Sequence, residues 1–136
     1  MKGLNIFIYI IVFDLMNLYK KNNSFEIRFL QSKKVLDKYY PEKIPVIIQK
    51  HKREKNFPQI DKEKFLIPKG LDYAQLLYVI RNRLKLINDP GIALFLSTEN
   101  GSMLTTNDII SDIYEINKDK EDNFLYLFYC GENTFG

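Results

Sequence analysis

Residues 43–84, KIPVIIQKHKREKNFPQIDKEKFLIPKGLDYAQLLYVIRNRL, indicate the fold most clearly, because two strand-like segments stand directly before a helical one. Residues 43–49 and 64–68 are short and rich in apolar and β-branched side chains, which is typical of strands. The charged residues 50–56 separate them, so we expect the two strands to form a hairpin. Proline has no N–H to donate to a sheet, and we therefore expect Pro45 to avoid a central pairing position.

A helix and three further elements complete this pattern. Apolar residues of segment 71–84 fall on one helical face: Tyr73, Leu76, Leu77, Ile80 and Leu84. The sequence that follows predicts a strand over residues 92–96, which ends in a polar turn at residues 97–102. It then predicts a short helix that begins at Thr106 or Asn107 and a last strand over residues 124–129.

An additional helix comes before the hairpin. Ser24 is a suitable N-cap, Pro41 ends the helix, and apolar residues recur at helical spacing between basic ones: Phe25, Phe29, Val35, Leu36 and Tyr39. This pattern predicts an amphipathic helix with a basic outer face. The complete order predicts an α+β protein of the β-grasp (ubiquitin-like) type, with a four-stranded mixed sheet and an added N-terminal helical subdomain.

Composition limits the function classes. The chain has 136 residues, of which 46% are hydrophobic and 27% charged, and this indicates one folded globular domain. Its net charge of +3 is small and its lysines are dispersed, so we expect no nucleic-acid partner. Cys130 is the single cysteine in the sequence, which excludes an internal disulfide framework.

The first 23 residues form an atypical apolar extension, and residues 24–136 form the predicted domain. Residues 4–13, LNIFIYIIVF, are shorter than the roughly twenty apolar residues that span a bilayer. Three interpretations remain open: a segment that packs on the domain or a partner, a disordered or mis-assigned start of the chain, and a membrane-inserting or targeting segment.

Residues 131–136, GENTFG, predict a flexible polar tail that ends on a glycine. Because glycine has no Cβ, it can pass through a narrow groove and present its carboxylate to an activating enzyme. The tail therefore indicates that this protein is a substrate of other enzymes. No phosphate-binding glycine loop, metal-ligand spacing or nucleophile motif occurs, so we expect no enzyme activity, no catalytic residues, no metal and no cofactor.

Several strings together make the chain resemble the Atg8/LC3/GABARAP family of autophagy-related ubiquitin-like modifiers. They occur in order from about Phe25 to Gly136. The strongest are residues 43–47 (KIPVI), residues 60–62 (IDK) with residues 64–68 (KFLIP), residues 78–81 (YVIR) with residues 83–84 (RL), and residues 124–126 (FLY) followed by residues 131–136 (GENTFG).

The resemblance implies lipid conjugation. Gly136 is activated by an E1-like enzyme, transferred through an E2-like enzyme and joined to phosphatidylethanolamine, the only covalent group expected. Thr134 and Phe135 lie in the tail that these enzymes and a deconjugating cysteine protease recognise. No residue follows Gly136, so the chain is either made ready for conjugation or is a processed or truncated form. The implied role is autophagosome formation, in the cytoplasm and on autophagosomal or related vesicle membranes.

The resemblance also implies a groove that binds receptor motifs of the aromatic-x-x-aliphatic type. The aromatic pocket is expected to use Val35 or Leu36, with Pro45, Ile47, Lys64, Leu66 and Phe124. The aliphatic pocket is expected to use Phe65, Ile67, Pro68, Leu71, Leu76 and Val79. Lys62, Lys64 and Arg83 are expected to contact acidic residues that flank the motif.

Two alternative functions remain. One is a modifier joined to a protein lysine, as in the related Atg12 type, and the other is an unconjugated peptide-binding module tethered by its N-terminal segment. The chain also departs from the family pattern. An extra residue lies between Arg28 and Pro41, Gln31 stands where an acidic residue is common, and Asn123 stands where glycine is common.

Overall fold

A computed structural model describes residues 17–86 and 88–132. Its helices are α1 (Leu18–Asn22), α2 (Phe25–Tyr39), α3 (Tyr73–Arg83) and α4 (Ile110–Asn117), and its strands are β1 (Lys43–Lys50), β2 (Lys64–Pro68), β3 (Phe95–Thr98) and β4 (Leu125–Cys130). The strands form one sheet in the order β2-β1-β4-β3. β1 pairs antiparallel with β2 and parallel with β4, and β3 pairs antiparallel with β4. This four-stranded mixed sheet confirms the predicted β-grasp fold.

Helix α3 covers one face of the sheet. Its N-cap Asp72 accepts a hydrogen bond from the Gln75 backbone N–H at 2.8 Å, and the Gln75 side chain accepts one from the Asp72 N–H at 3.0 Å. This capping box fixes where the helix starts. The predicted apolar face is confirmed, since Tyr73, Leu76, Ile80 and Leu84 are buried with inward-facing strand residues in the main core.

Pro45 lies in the central strand β1, opposite Leu66 of β2, yet it avoids a central pairing position as predicted. The Ile48 N–H donates to the Glu63 carbonyl oxygen at 2.8 Å, which shows that even-numbered residues of β1 direct their N–H groups to β2. The Pro45 nitrogen therefore faces β4, whose pairing with β1 begins only at Val46. No ladder hydrogen bond is lost to the proline.

Helix α2 buries a different face from the one predicted. Ser24 caps it as expected, but its buried residues are Arg28 and Ser32, while the side chains of Phe25 and Phe29 are 43% and 37% exposed. Polar partners explain the difference. The Arg28 guanidinium donates to the buried Asp122 carboxylate at 2.5 Å, and the Ser32 hydroxyl donates to the Asp122 carbonyl oxygen.

Residues 17–23 lie within the predicted N-terminal extension, but the structure shows that they belong to the folded unit. Helix α1 places Tyr19 in a cluster on the sheet face opposite α3, with Ile47, Phe124, Tyr126 and Phe128. The Tyr19 N–H donates to the Gln49 side chain at 2.8 Å, and Lys20 forms ion pairs with Glu99 and Asp119. The predicted apolar segment 4–13 lies outside the described residues.

Two other predicted boundaries are wrong. The third strand is Phe95–Thr98 rather than residues 92–96, because a turn still holds Ile92, whose N–H donates to the Asp89 carbonyl oxygen. The short helix begins at Ile110 rather than at Thr106 or Asn107. The Asp108 carboxylate accepts the Thr105 N–H in a local turn, and Ile109 forms a β-bridge with Asp72. The turn and the bridge therefore precede the helix.

Candidate functional site: a groove beside β2 and the C-terminal tail

Strand β2 is an edge of the sheet, because its single strand neighbour in the described structure is β1. Its side chains alternate as predicted, with Lys64, Leu66 and Pro68 exposed and Phe65 and Ile67 buried. An edge strand presents unpaired N–H and C=O groups that an extended peptide can pair with. The outward side chains of β2 then lie next to such a peptide.

A cavity of about 450 Å³ opens between α2 and β2. Its walls bring together five residues predicted for the aromatic pocket: Val35, Pro45, Lys64, Leu66 and Phe124. Gln31, Lys34 and Phe65 complete the lining. The cavity combines apolar walls with a few polar groups, which is the usual composition of a ligand-binding pocket.

The structure distinguishes between the two candidate residues on α2. Val35 lines the cavity, whereas Leu36 packs against the main core. Ile47 is fully buried and belongs to the cluster around Tyr19 and Phe124, so it supports the pocket from beneath rather than lining it.

The groove is electropositive at its rim. Lys34 and Lys64 line the cavity, and none of its lining residues is a carboxylate. Gln31 also lines the cavity, and its side-chain oxygen accepts a hydrogen bond from the Tyr19 hydroxyl. Burial, followed by the charges of Glu63 and Asp122, raises the pKa of Tyr19 to about 12, so the phenol remains a donor at neutral pH.

Sequence reasoning did not assign Lys34 to the groove. The signal was present, because residues 31, 34 and 35 have the i, i+3, i+4 spacing that places side chains on one side of a helix. Of the other predicted cations, Lys62 is exposed, and Arg83 lies 3.5 Å from the exposed Asp61 carboxylate and above the Phe65 ring.

The residues predicted for the aliphatic pocket do not share one open surface. Phe65, Ile67 and Leu76 are buried in the main core, and Leu71 packs against it. Pro68 and Val79 are exposed. In this structure a ligand could therefore contact Pro68, Leu71 and Val79. Phe65, Ile67 and Leu76 lie beneath them in the core.

Cys130 is a buried residue of β4, and its thiol lies 3.9 Å from the Phe95 carbonyl oxygen. Burial and, after it, the nearby Glu54 carboxylate raise the pKa of this thiol to about 11. The turn that carries His51 lies beside the end of β4, because the His51 N–H donates to the Tyr129 carbonyl oxygen at 2.9 Å. A thiol that stays protonated is nevertheless a weak nucleophile.

We predict that Cys130 reacts slowly in the folded protein. With a pKa of about 11 the thiolate fraction at pH 8 is roughly 0.1%, so alkylation by iodoacetamide is expected to be about a hundredfold slower than in denaturant. The rate is expected to rise about tenfold per pH unit from pH 8 to 10, since deprotonation is limiting. Mass spectrometry of timed samples measures both rates, and equal rates in native and denatured protein would contradict the buried position.

The tail leaves the domain at the end of β4. Gly131 is buried and Glu132 is exposed, while the predicted tail-recognition residues Thr134 and Phe135 and the predicted conjugation site Gly136 lie outside the described residues. Over residues 17–86 and 88–132, no cluster of His, Cys, Asp or Glu side chains is suited to a metal ion. No helix in these same ranges has the length and apolar character needed to cross a bilayer.

Comparison with known proteins places these features in a family. Residues 27–136 match the family model described as autophagy protein Atg8, ubiquitin like. Autophagy-related protein 8e of Arabidopsis thaliana is 41% identical over 120 residues, which cover 88% of this chain and 93% of the relative. Autophagy-related protein 8 of Mycosarcoma maydis is 43% identical over 118 residues, covering 87% and 95%. The crystal structure of Trypanosoma brucei ATG8 matches with a TM-score of 0.77 at 36% identity, covering 88% of this chain and 98% of that one.

Proposed function

Since the chain belongs to the Atg8 family of ubiquitin-like autophagy proteins, we propose that it is a modifier conjugated through Gly136 to phosphatidylethanolamine. The observation that carries this proposal is the family match, which extends over residues 27–136 and thus includes the whole GENTFG tail. Conjugation places the protein on autophagosomal or related membranes. The chain is a substrate in this chemistry and not an enzyme.

The proposed transfer requires ATP and two enzyme thiols. A Gly136 carboxylate oxygen attacks the α-phosphorus of ATP, which releases pyrophosphate and leaves an acyl adenylate. The thiolate of the E1-like enzyme displaces AMP, and the thiolate of the E2-like enzyme takes over the acyl group. The lipid amine then attacks the thioester, expels the thiolate and loses a proton, so that an amide remains. A cysteine protease later hydrolyses the amide between Gly136 and the lipid.

A lipid anchor supplies strong membrane attachment. Each buried CH₂ group of an acyl chain contributes about 0.8 kcal/mol, and two chains together give stable binding. The groove beside β2 then faces the cytoplasm and recruits receptors that carry aromatic-x-x-aliphatic motifs. This second role is supported by the edge position of β2, the apolar cavity and the rim lysines Lys34 and Lys64.

Membrane association in the presence of the conjugation enzymes tests the proposal. The full chain, Gly136→Ala and a variant lacking residues 1–16 are incubated with cognate E1-like and E2-like enzymes, ATP and phosphatidylethanolamine liposomes, and then floated on a density gradient. The truncation stops before Asn17 because helix α1 is part of the folded unit. We expect the full chain and the truncated variant to float, and Gly136→Ala to remain in the soluble fraction.

The same experiment separates the proposal from N-terminal tethering. Flotation of Gly136→Ala together with loss of flotation after the truncation would support a tethered binding module and reject conjugation. A family member of established activity serves as the control for the enzymes.

A further inference from the structure

The root of the tail is Gly131, and it lies just beyond the last residues of β4 that pair with β1 and β3. The last residue of β4 that pairs with β1 is Tyr129, and the last that pairs with β3 is Cys130. Beyond Lys50, the chain of β1 turns away, and the Glu54 N–H donates to the His51 carbonyl oxygen at 2.9 Å. The next backbone N–H of the β4 segment belongs to Gly131, the first residue of the tail.

The carboxylate of Glu54, rather than a strand carbonyl group, accepts the Gly131 N–H. Glu54 Oε1 accepts the Gly131 N–H at 2.6 Å, and the charged acceptor makes this a charge-assisted hydrogen bond. Its other oxygen, Oε2, accepts the N–H groups of Asn56 at 2.8 Å and Phe57 at 3.1 Å. Glu54 is only 6% exposed, so one buried side chain joins its own loop to the start of the tail.

The close approach of the two segments favours a glycine at this position. A Cβ atom on Gly131 would lie 3.2 Å from Glu54 Oε1 and 3.2 Å from the Phe57 ring, which is tighter than ordinary contacts. Tyr129 holds the same loop, because its hydroxyl donates to the Pro58 carbonyl oxygen at 2.7 Å and accepts the Ile60 N–H at 2.9 Å. The loop and the end of β4 thus form one packed unit.

We propose that Glu54 is a positioning residue for conjugation, which fixes the point and direction in which the tail leaves the domain. This inference rests on the function proposed above. Residues 132–136 span at most about 17 Å when fully extended, so the position of Gly131 limits where the terminal carboxylate can reach. A fixed root lets an enzyme bind the domain and the tail together without first ordering the tail root. Loss of the Glu54 contact therefore raises KM for the modifier and leaves kcat nearly unchanged.

The matched variants Glu54→Gln and Glu121→Gln test this role. Each removes one negative charge, but Glu121 is exposed in the loop before β4 and lies outside the tail. In Glu54→Gln the side-chain amide has only one acceptor oxygen. Its NH₂ group then faces either the Gly131 N–H or the Asn56 and Phe57 N–H groups, and the donors on that side lose their acceptor. Because hydrogen bonds to charged groups are strong, we expect hydrogen exchange of the Gly131 amide to accelerate about tenfold or more.

Steady-state formation of the E2 thioester gives the second measurement. With cognate enzymes and ATP, Glu54→Gln is expected to raise KM about fivefold or more while kcat stays within about twofold, since the contact acts on binding and not on the acyl transfer. Glu121→Gln is expected to match the unsubstituted chain in both measurements. Circular dichroism and unchanged affinity for a motif peptide in the groove establish that the variants are folded.

Each result has one interpretation. Equal Gly131 exchange in the two variants would overturn the tether, and faster exchange with unchanged KM, or a loss confined to kcat, would overturn the positioning role. If Glu54→Gln does not fold, exchange in the unsubstituted chain decides, because an unprotected Gly131 amide excludes the contact. If no chain forms a thioester while a control modifier does, the proposed function fails, and the exchange data still test the tether.

Discussion

Replacing Asp122 by alanine is expected to lower the free energy of unfolding by about 3–5 kcal/mol, because it leaves a buried cation without its partner. The side chain of Asp122 is fully buried, and that of Arg28 is 10% exposed. Removing the carboxylate deprives the Arg28 guanidinium, the Tyr126 hydroxyl and the Phe124 N–H of a shared acceptor at 2.5, 2.5 and 2.9 Å.

The same contacts hold the N-terminal helices on the sheet. Burial and, after it, the Asp122 carboxylate raise the pKa of Tyr126, so this phenol stays protonated and donates to Asp122 over the physiological range. Arg28 also donates from Nε to the Asn23 carbonyl oxygen at 3.1 Å, between α1 and α2. We therefore expect Asp122→Ala to loosen α1 and α2 first, with faster hydrogen exchange there than in α3.

Asp37→Ala is the matched control. Asp37 lies on α2 and pairs with Lys33 one turn away, but both side chains are more than half exposed. Such a surface pair contributes less than about 1 kcal/mol, so the midpoint of urea denaturation should scarcely move. Similar losses in Asp37→Ala and Asp122→Ala would contradict the assignment of Arg28 and Asp122 as a structural pair.

Replacing Leu66 by aspartate is expected to weaken binding of an acidic aromatic-x-x-aliphatic peptide by about thirtyfold or more. Leu66 is 44% exposed on β2 and lines the cavity, so the change removes apolar contact with the ligand without entering the core. A fully buried leucine contributes about 1.5–3 kcal/mol, and the new carboxylate adds repulsion toward the acidic flank of the peptide. Isothermal titration calorimetry with a synthetic peptide measures the loss.

Two further variants define the origin of that loss. Lys64→Glu reverses a rim charge and is expected to weaken binding about tenfold at low salt and less at high salt, because exposed charges are screened. Ile116→Asp changes an equally apolar residue that is 79% exposed on α4 and does not line the cavity, so affinity should be unchanged. Full affinity in folded Leu66→Asp would reject the groove.

The sequence predicts best those parts of the fold that depend on local apolar patterns. The β1–β2 hairpin and α3 bury side chains at the periods of a strand and a helix, and both lie close to their predicted positions. The buried face of α2 escaped prediction because it is polar. Arg28 and Ser32 face inward only because Asp122, 94 and 90 residues later in the chain, supplies their partners.

The same distinction applies to the site. The choice of Val35 over Leu36 depends on how α2 is rotated on the sheet, which those distant contacts determine. Glu54 lies in a charged turn that looks solvated in sequence, and only the fold brings it to Gly131. Asn123 illustrates the converse, because its backbone has a φ of 65°, a left-handed conformation that asparagine and glycine adopt more readily than other residues.

Conjugation of Gly136 to the lipid is tested by the intact mass of the chain after incubation with cognate E1-like and E2-like enzymes, ATP and phosphatidylethanolamine liposomes. We expect an increase equal to one phosphatidylethanolamine minus one water, with fragmentation that places the lipid on Gly136. An unmodified mass, while a control modifier is converted by the same enzymes, would contradict it. So would an adduct in which Gly136 is joined to a protein lysine instead of the lipid.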